Sequence, residues 1–165
     1  MHSGRMIATA FLALGLTLPA DAQDQGTNVA FAGLKTDISQ PVQVDADQLS
    51  VSQTDDTATF SGNVVVVQGD MKLQAGTVTI HYSTDRKAIE SLRADGGVTL
   101  AAGTDAATAE SAEYLPDTGD LTLIGHVVLT QGQAAISGEE LVLSLESGLG
   151  TMSGRVTTIF TPGNN

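Results

Sequence analysis

Thr59-Phe60-Ser61-Gly62-Asn63-Val64-Val65-Val66-Val67-Gln68-Gly69-Asp70 is the stretch that decides the fold. Four successive valines beside Phe60 and Thr59 favour extended chain, because β-branched and aromatic side chains pack well on a pleated surface. Gln68-Gly69-Asp70 closes the run in a turn. Gly62, two residues before Val64, sits where a strand turns a corner or bulges. The tripeptide Gly-x-Val then returns as Gly96-Gly97-Val98, Gly125-His126-Val127 and Gly154-Arg155-Val156, with the glycines 34, 29 and 29 residues apart. A fixed period in this range marks a chain that stacks one small unit on the next.

The apolar positions keep register with the glycines. Phe60, Ala94, Leu123 and Met152 each lie two residues before one of them. The extra residues of the first unit fall in the polar run Ser83-Thr84-Asp85-Arg86-Lys87, which reads as a longer hairpin turn. Gly62 to Tyr82 also aligns with Gly125 to Leu145, sharing the pairs Gln68/Gln131 and Gly69/Gly132. Val42, Val44, Leu49 and Val51 alternate with polar residues, the period of a half-buried strand. Asp117-Thr118-Gly119-Asp120 is another turn signal. Ala106 to Tyr114 has helical propensity, but its place in the repeat makes it strand. The expected fold is all-β: an open, twisted β-jelly roll, a solenoid-like stack of antiparallel strands in repeats of ~29 residues, about six ranks long.

The N-terminus reads as an address. Arg5, an apolar run from Met6 to Leu18 and the A-x-A site Ala20-Asp21-Ala22 make residues 1–22 a cleaved secretory signal peptide. No Cys lies at the cut, which argues against a lipid anchor, and the mature chain starts at Gln23. Residues 23–37 are polar and aperiodic and are expected to be a flexible leader, with Val29, Phe31 and Leu34 as an alternative edge contact. Residues 38–162 form the β domain and 163–165 a tail. The chain has no Cys at all, so it must stabilise itself by burial and backbone pairing. An exported chain of this kind suits the periplasm of a Gram-negative cell. Its formal net charge of −12 excludes nucleic acid as a partner held by a basic face.

The residues suggest no catalysis and call for no cofactor. His81 and His126 stand on different repeats, without a nucleophile elbow. Asp55-Asp56 and Glu139-Glu140 are adjacent, so on strands they point to opposite faces and form no acid/base dyad. The other acids are scattered, so no metal site is expected. What the sequence offers is an apolar lining and two free edges. The lining comprises Phe60, Val64, Val66, Leu73, Val78, Ile80, Tyr82, Val98, Leu100, Leu121, Leu123, Val127, Leu129, Ile136, Leu141, Leu143 and Met152. As a groove it would hold acyl chains, each buried CH₂ contributing about 0.8 kcal/mol. The edge-pairing set is Val42, Val44, Val156, Thr157, Thr158 and Ile159. Uncharged edges of this kind pair with another strand, here head to tail with a second copy or a like fold. The alternative is a structural or surface-exposed β-solenoid, an adhesin or filament module, with a packed core.

Ala46-Asp47-Gln48-Leu49, Ala58-Thr59-Phe60-Ser61-Gly62-Asn63-Val64, the later Gly-x-Val elements and Gly138-Glu139-Glu140-Leu141 together resemble the periplasmic lipopolysaccharide-transport proteins of the LptA, or OstA-like, family. The resemblance runs from Ile38 to Pro162. It implies a jelly roll whose interior shields the acyl chains of lipid A. It also implies subunits joined edge to edge between an inner-membrane-anchored β-jelly-roll partner and an outer-membrane translocon. The membrane-anchored relative of the same pathway fits less well, because a cleavage site follows the apolar segment.

Overall fold

The structure is a computed structural model, and it describes residues 26–30 and 34–161. Residues 1–22 and 163–165 lie outside the described residues. Among the described residues thirteen strands follow one another: β1 (Thr27–Ala30), β2 (Gln43–Asp45), β3 (Gln48–Ser52), β4 (Thr57–Gln68), β5 (Met71–Tyr82), β6 (Ile89–Asp95), β7 (Val98–Ala102), β8 (Asp105–Ala109), β9 (Ser111–Leu115), β10 (Asp120–Gln131), β11 (Ala134–Ser144), β12 (Leu149–Ser153) and β13 (Thr157–Phe160). All the ladders between them are antiparallel. The stretch Ala106 to Tyr114 is strand, divided between β8 and β9.

The sheet folds over on itself along one corner and so presents two faces to each other. The first face carries β3, the first half of β4, the second half of β5, β6, β9, the first half of β10, the second half of β11, β12 and β1. The second carries β2, the second half of β4, the first half of β5, β7, β8, the second half of β10, the first half of β11 and β13. Eight rows therefore run through both faces, not six, because β2/β3 and β12/β13 are full rows at the two ends. At roughly 4.8 Å per step the shared stack is about 34 Å long.

The Gly-x-Val elements make the corner. Every second row, four of the eight, crosses from one face to the other through two consecutive left-handed residues: Gly62 and Asn63 (φ 80° and 45°) in β4, Gly96 and Gly97 (84° and 84°) between β6 and β7, Gly125 and His126 (84° and 46°) in β10, Gly154 and Arg155 (77° and 50°) between β12 and β13. The ladders slip at the same points, between Ser61 and Val64 and between Ile124 and Val127. At Gly62 a side chain is excluded twice over. Its φ disfavours any L-residue, and a Cβ there would lie 2.6 Å from Asp47 Oδ2.

The core lies between the faces, as apolar tracks running along the stack. Directly opposed residues share a face. One track is Leu49, Phe60, Val78, Ala94, Ala112, Leu123, Leu141 and Met152. A second is Val51, Ala58, Ile80, Leu92, Tyr114, Leu121 and Leu143. The opposite face contributes Val44, Val66, Leu73, Leu100, Ala107, Leu129 and Ile136.

The flexible leader expected over 23–37 needs correction where it is described. Thr27–Ala30 is strand β1, paired with β12 from Met152 to Leu149. Leu34 is fully buried, and the Thr36 amide donates to Leu145 O at 3.0 Å. The segment is ordered because it satisfies backbone groups of an edge and inserts an apolar side chain into the core. Phe31 lies outside the described residues.

Candidate functional site

Every residue expected to line the interior points into it. Fifteen of the seventeen are buried: Val64, Val66, Leu73, Val78, Ile80, Val98, Leu100, Leu121, Leu123, Val127, Leu129, Ile136, Leu141, Leu143 and Met152. Phe60 and Tyr82 are partly buried and pack against them. The faces meet closely. The internal cavity between Leu73, Tyr114 and Leu121 measures about 20 Å³, room for a single water. An acyl chain therefore enters this interior only if the faces part or side chains move aside.

The stack is not closed equally everywhere. At its β3 end the inward-pointing Leu49 and Val51 are 57% and 62% exposed. With Phe60 and Tyr82 they border an apolar recess of about 260 Å³. At the other end β1 covers β12 on the first face. On the second face β13 pairs only with β11, and its residues are exposed, Ile159 at 62% and Phe160 at 74%. Of the expected edge-pairing residues, Val44 lies in β2 and Thr157, Thr158 and Ile159 lie in β13. Val42 and Val156 flank these strands, half-buried against the core.

Opposite the corner, the free ends of the two faces leave a seam, and the N-terminal segment runs along it. From Leu34 onward it passes Leu145, which is fully buried, and continues past Gln68 to β2. Thr36 holds both faces, its amide on Leu145 O and its hydroxyl on Gln68 O at 3.1 Å. Ile38 packs on the Gly119 turn, where a Cβ would come within 3.2 Å of it. Gln68, 2% exposed, donates through Nε2 to Ile38 O (3.0 Å) and Gln40 O (2.9 Å). It accepts from Tyr114 Oη at 2.7 Å across the two faces. Burial pushes the Tyr114 phenol up, and its bond to Gln68 offsets part of this. Gln131, the equivalent of Gln68 in the sequence repeat, donates to the buried Asp105 Oδ2 (3.1 Å) and to Ala30 O (3.3 Å). The sequence signal for this seam was the shared Gln-Gly pair, but the pair alone does not say what the glutamines hold.

The corner carries a second pattern that the sequence reading missed. Asp47, Glu110 and Glu139 each precede a corner glycine by the same interval, and each donates its amide to that glycine's carbonyl, Gly62, Gly125 and Gly154 respectively. Asn63 Nδ2 bonds Asp47 Oδ2 at 2.8 Å, and His126 Nδ1 meets Glu110 Oε1 at 2.7 Å. Glu110, first through this bond and then through its charge, raises the His126 pKa, and Glu139 adds to the shift. These side chains are solvated and brace the bend. Among the described residues no three His, Asp or Glu side chains converge on a metal position. Nor is any helix there long and apolar enough to cross a membrane.

Two apolar faces folded over a seam, with strand edges at both ends, define a β-jelly roll built around its interior. The family model for the LptA/(LptD N-terminal domain) lipopolysaccharide transport protein matches residues 43–149, and the chain belongs to this family. An uncharacterized protein of Rhizobium meliloti is 34% identical over 161 residues, covering 90% of this chain and 87% of that protein. The lipopolysaccharide export system protein LptH of Pseudomonas aeruginosa is 37% identical over 76 residues, 46% of this chain and 40% of LptH. LptA of Escherichia coli K12 is 39% identical over 44 residues, 27% of this chain and 24% of LptA. The crystal structure of the Pseudomonas LptH superposes with a TM-score of 0.68 at 21% identity, covering 77% of this chain and 99% of that one, and so shares the fold. The resemblance drawn from the sequence and the all-β jelly roll are both borne out.

Proposed function

We propose that this chain is a non-catalytic periplasmic carrier of lipopolysaccharide. It holds lipid A by its acyl chains between the two sheet faces and passes it from the inner towards the outer membrane in edge-to-edge assemblies. The observation that carries this reading is the set of continuous apolar tracks from the exposed Leu49 and Val51 to Met152. Each methylene kept from water on such a surface contributes about 0.8 kcal/mol, so the groove can hold several acyl chains outside a bilayer that would otherwise be the only place for them. The interior offers acyl chains aliphatic walls, while the saccharide and phosphates stay outside. A surface with net charge −12 repels those phosphates and so keeps the head group away, divalent ions aside.

A stack about 34 Å long is too short to cross a periplasm alone. Bridging then requires copies joined end to end, β2/β3 of one against β13 of the next, and like-folded partners at the two membranes. Family membership supports a transport component and the cleaved signal expected from residues 1–22 supports export.

The small internal cavity favours a second reading, a structural solenoid with a permanently packed core. Site-specific photocrosslinking separates the two. A phenylalanine-type photoprobe replaces Phe60 or Tyr82, which are aromatic and only partly buried, or the outward-facing Thr122, in cells making lipopolysaccharide. Adducts from the first two sites and none from Thr122 are expected. Correctly folded, exported protein with no adduct from either inward site establishes the packed solenoid.

A further inference from the structure

We propose that Leu34–Gln40 is a lateral gate: a strap across the seam that gives way to acyl chains and closes behind them, with Gln68 as its clasp. This rests on the carrier reading. Beyond the recess at the β3 end the interior offers only about 20 Å³, yet a bilayer lipid presents several chains side by side, which enter far more easily through a long side opening than through an end. The seam is such an opening, since it runs the length of the stack between the free ends of both faces.

The strap is attached in the way a releasable part must be. Within the interior it buries Leu34 completely and Ile38 partly, two aliphatic side chains that an acyl chain can replace in kind. Elsewhere it is held by a short series of hydrogen bonds: Thr36 to Leu145 O and Gln68 O, and Gln68 to Ile38 O and Gln40 O. None of these belongs to a strand ladder, so the strap lifts without unzipping the sheet. Gln68 is the suitable clasp because it reads both positions. Its amide nitrogen holds the strap, and its amide oxygen holds Tyr114 of the opposite face. Lifting the strap therefore loosens the Gln68–Tyr114 contact, which ties the faces together beside the strap, and lets them part there for the cargo. Ligand and strap compete for one space, so saturating lipid shifts the population to the open form.

The chain lacks cysteine, which makes a crosslink simple to place. A Cβ at Gly69 would lie 2.8 Å from Thr36 Oγ1, so Thr36→Cys with Gly69→Cys pins the strap to the second face. Gly69→Cys alone carries the same backbone strain and is the control. Binding of fluorophore-labelled lipopolysaccharide is measured with the full mature chain, oxidised and reduced. We expect the oxidised form to bind about tenfold more weakly or worse, because the competent fraction is removed. Equal binding in both forms overturns the gate and leaves the carrier reading standing. No binding even by the unaltered protein overturns both. Hydrogen exchange on the unaltered chain is the second measurement. Amides of 34–40 should lose protection when the labelled lipid saturates the protein, and unchanged or increased protection there overturns the gate without recourse to any variant.

Discussion

At Gly62 the backbone stands at φ 80° with Asp47 close behind the missing side chain. Gly62→Ala should cost about 1–2 kcal/mol, the penalty of an L-residue in the left-handed region, seen as a lower urea midpoint with unchanged slope. The corner also carries a titration. Glu110 raises the His126 pKa above its ordinary 6.5, so the charged imidazole stabilises the fold. That contribution is complete below the ordinary value and is lost as pH rises through the higher folded value. Urea midpoints should therefore fall as pH climbs from about 6.5 upwards, and Glu110→Gln should flatten the fall. An NMR titration of His126 checks the cause directly, its midpoint dropping towards the ordinary value in the same variant. These residues were half-legible beforehand. Glycine before an inward valine announced a bend, because few other residues tolerate that backbone. The acids that brace it stayed hidden, because their partners are distant in the chain and only the folded register brings them together.

Elements divide the same way. The strands β4, β5, β10 and β11 were legible from alternation and turns, since each side chain's burial there depends only on which face it points to. β1 was not. Thr27–Ala30 is four residues without a period, and its strand exists only because β12 presents an open edge. The rows at both ends were undercounted for a similar reason, being short and exposed. The seam shows what pattern misses most, a polar contact inside an apolar layer. Tyr114→Phe leaves the buried Gln68 oxygen without its donor and should cost about 1–3 kcal/mol in urea unfolding. A loss well under 1 kcal/mol would mean that water takes the place of the phenol.

On the scale of the whole molecule, the two ends of the stack differ. The β3 end exposes Leu49 and Val51, while the far end exposes β13. Head-to-tail pairing should therefore be concentration-dependent and sensitive to charge at either end. Val51→Lys and Ile159→Lys should each shift sedimentation of the purified chain towards monomer, and no shift from either would place self-association elsewhere. Stacking along one axis has a mechanical result too. The ladder bonds lie parallel to the stack, so a pull from end to end loads them directly, row against row. Hairpin turns keep parted rows covalently joined, and the corner forces a tear in one face to spread into the other. The join where β6 meets β9 over Leu92–Ala94 alone, in the alanine-rich middle, has the shortest ladder of the interior rows on the first face. Under a pull from end to end the first face therefore parts first at that row, while the β7–β8 hairpin on the second face keeps the two halves of the stack joined.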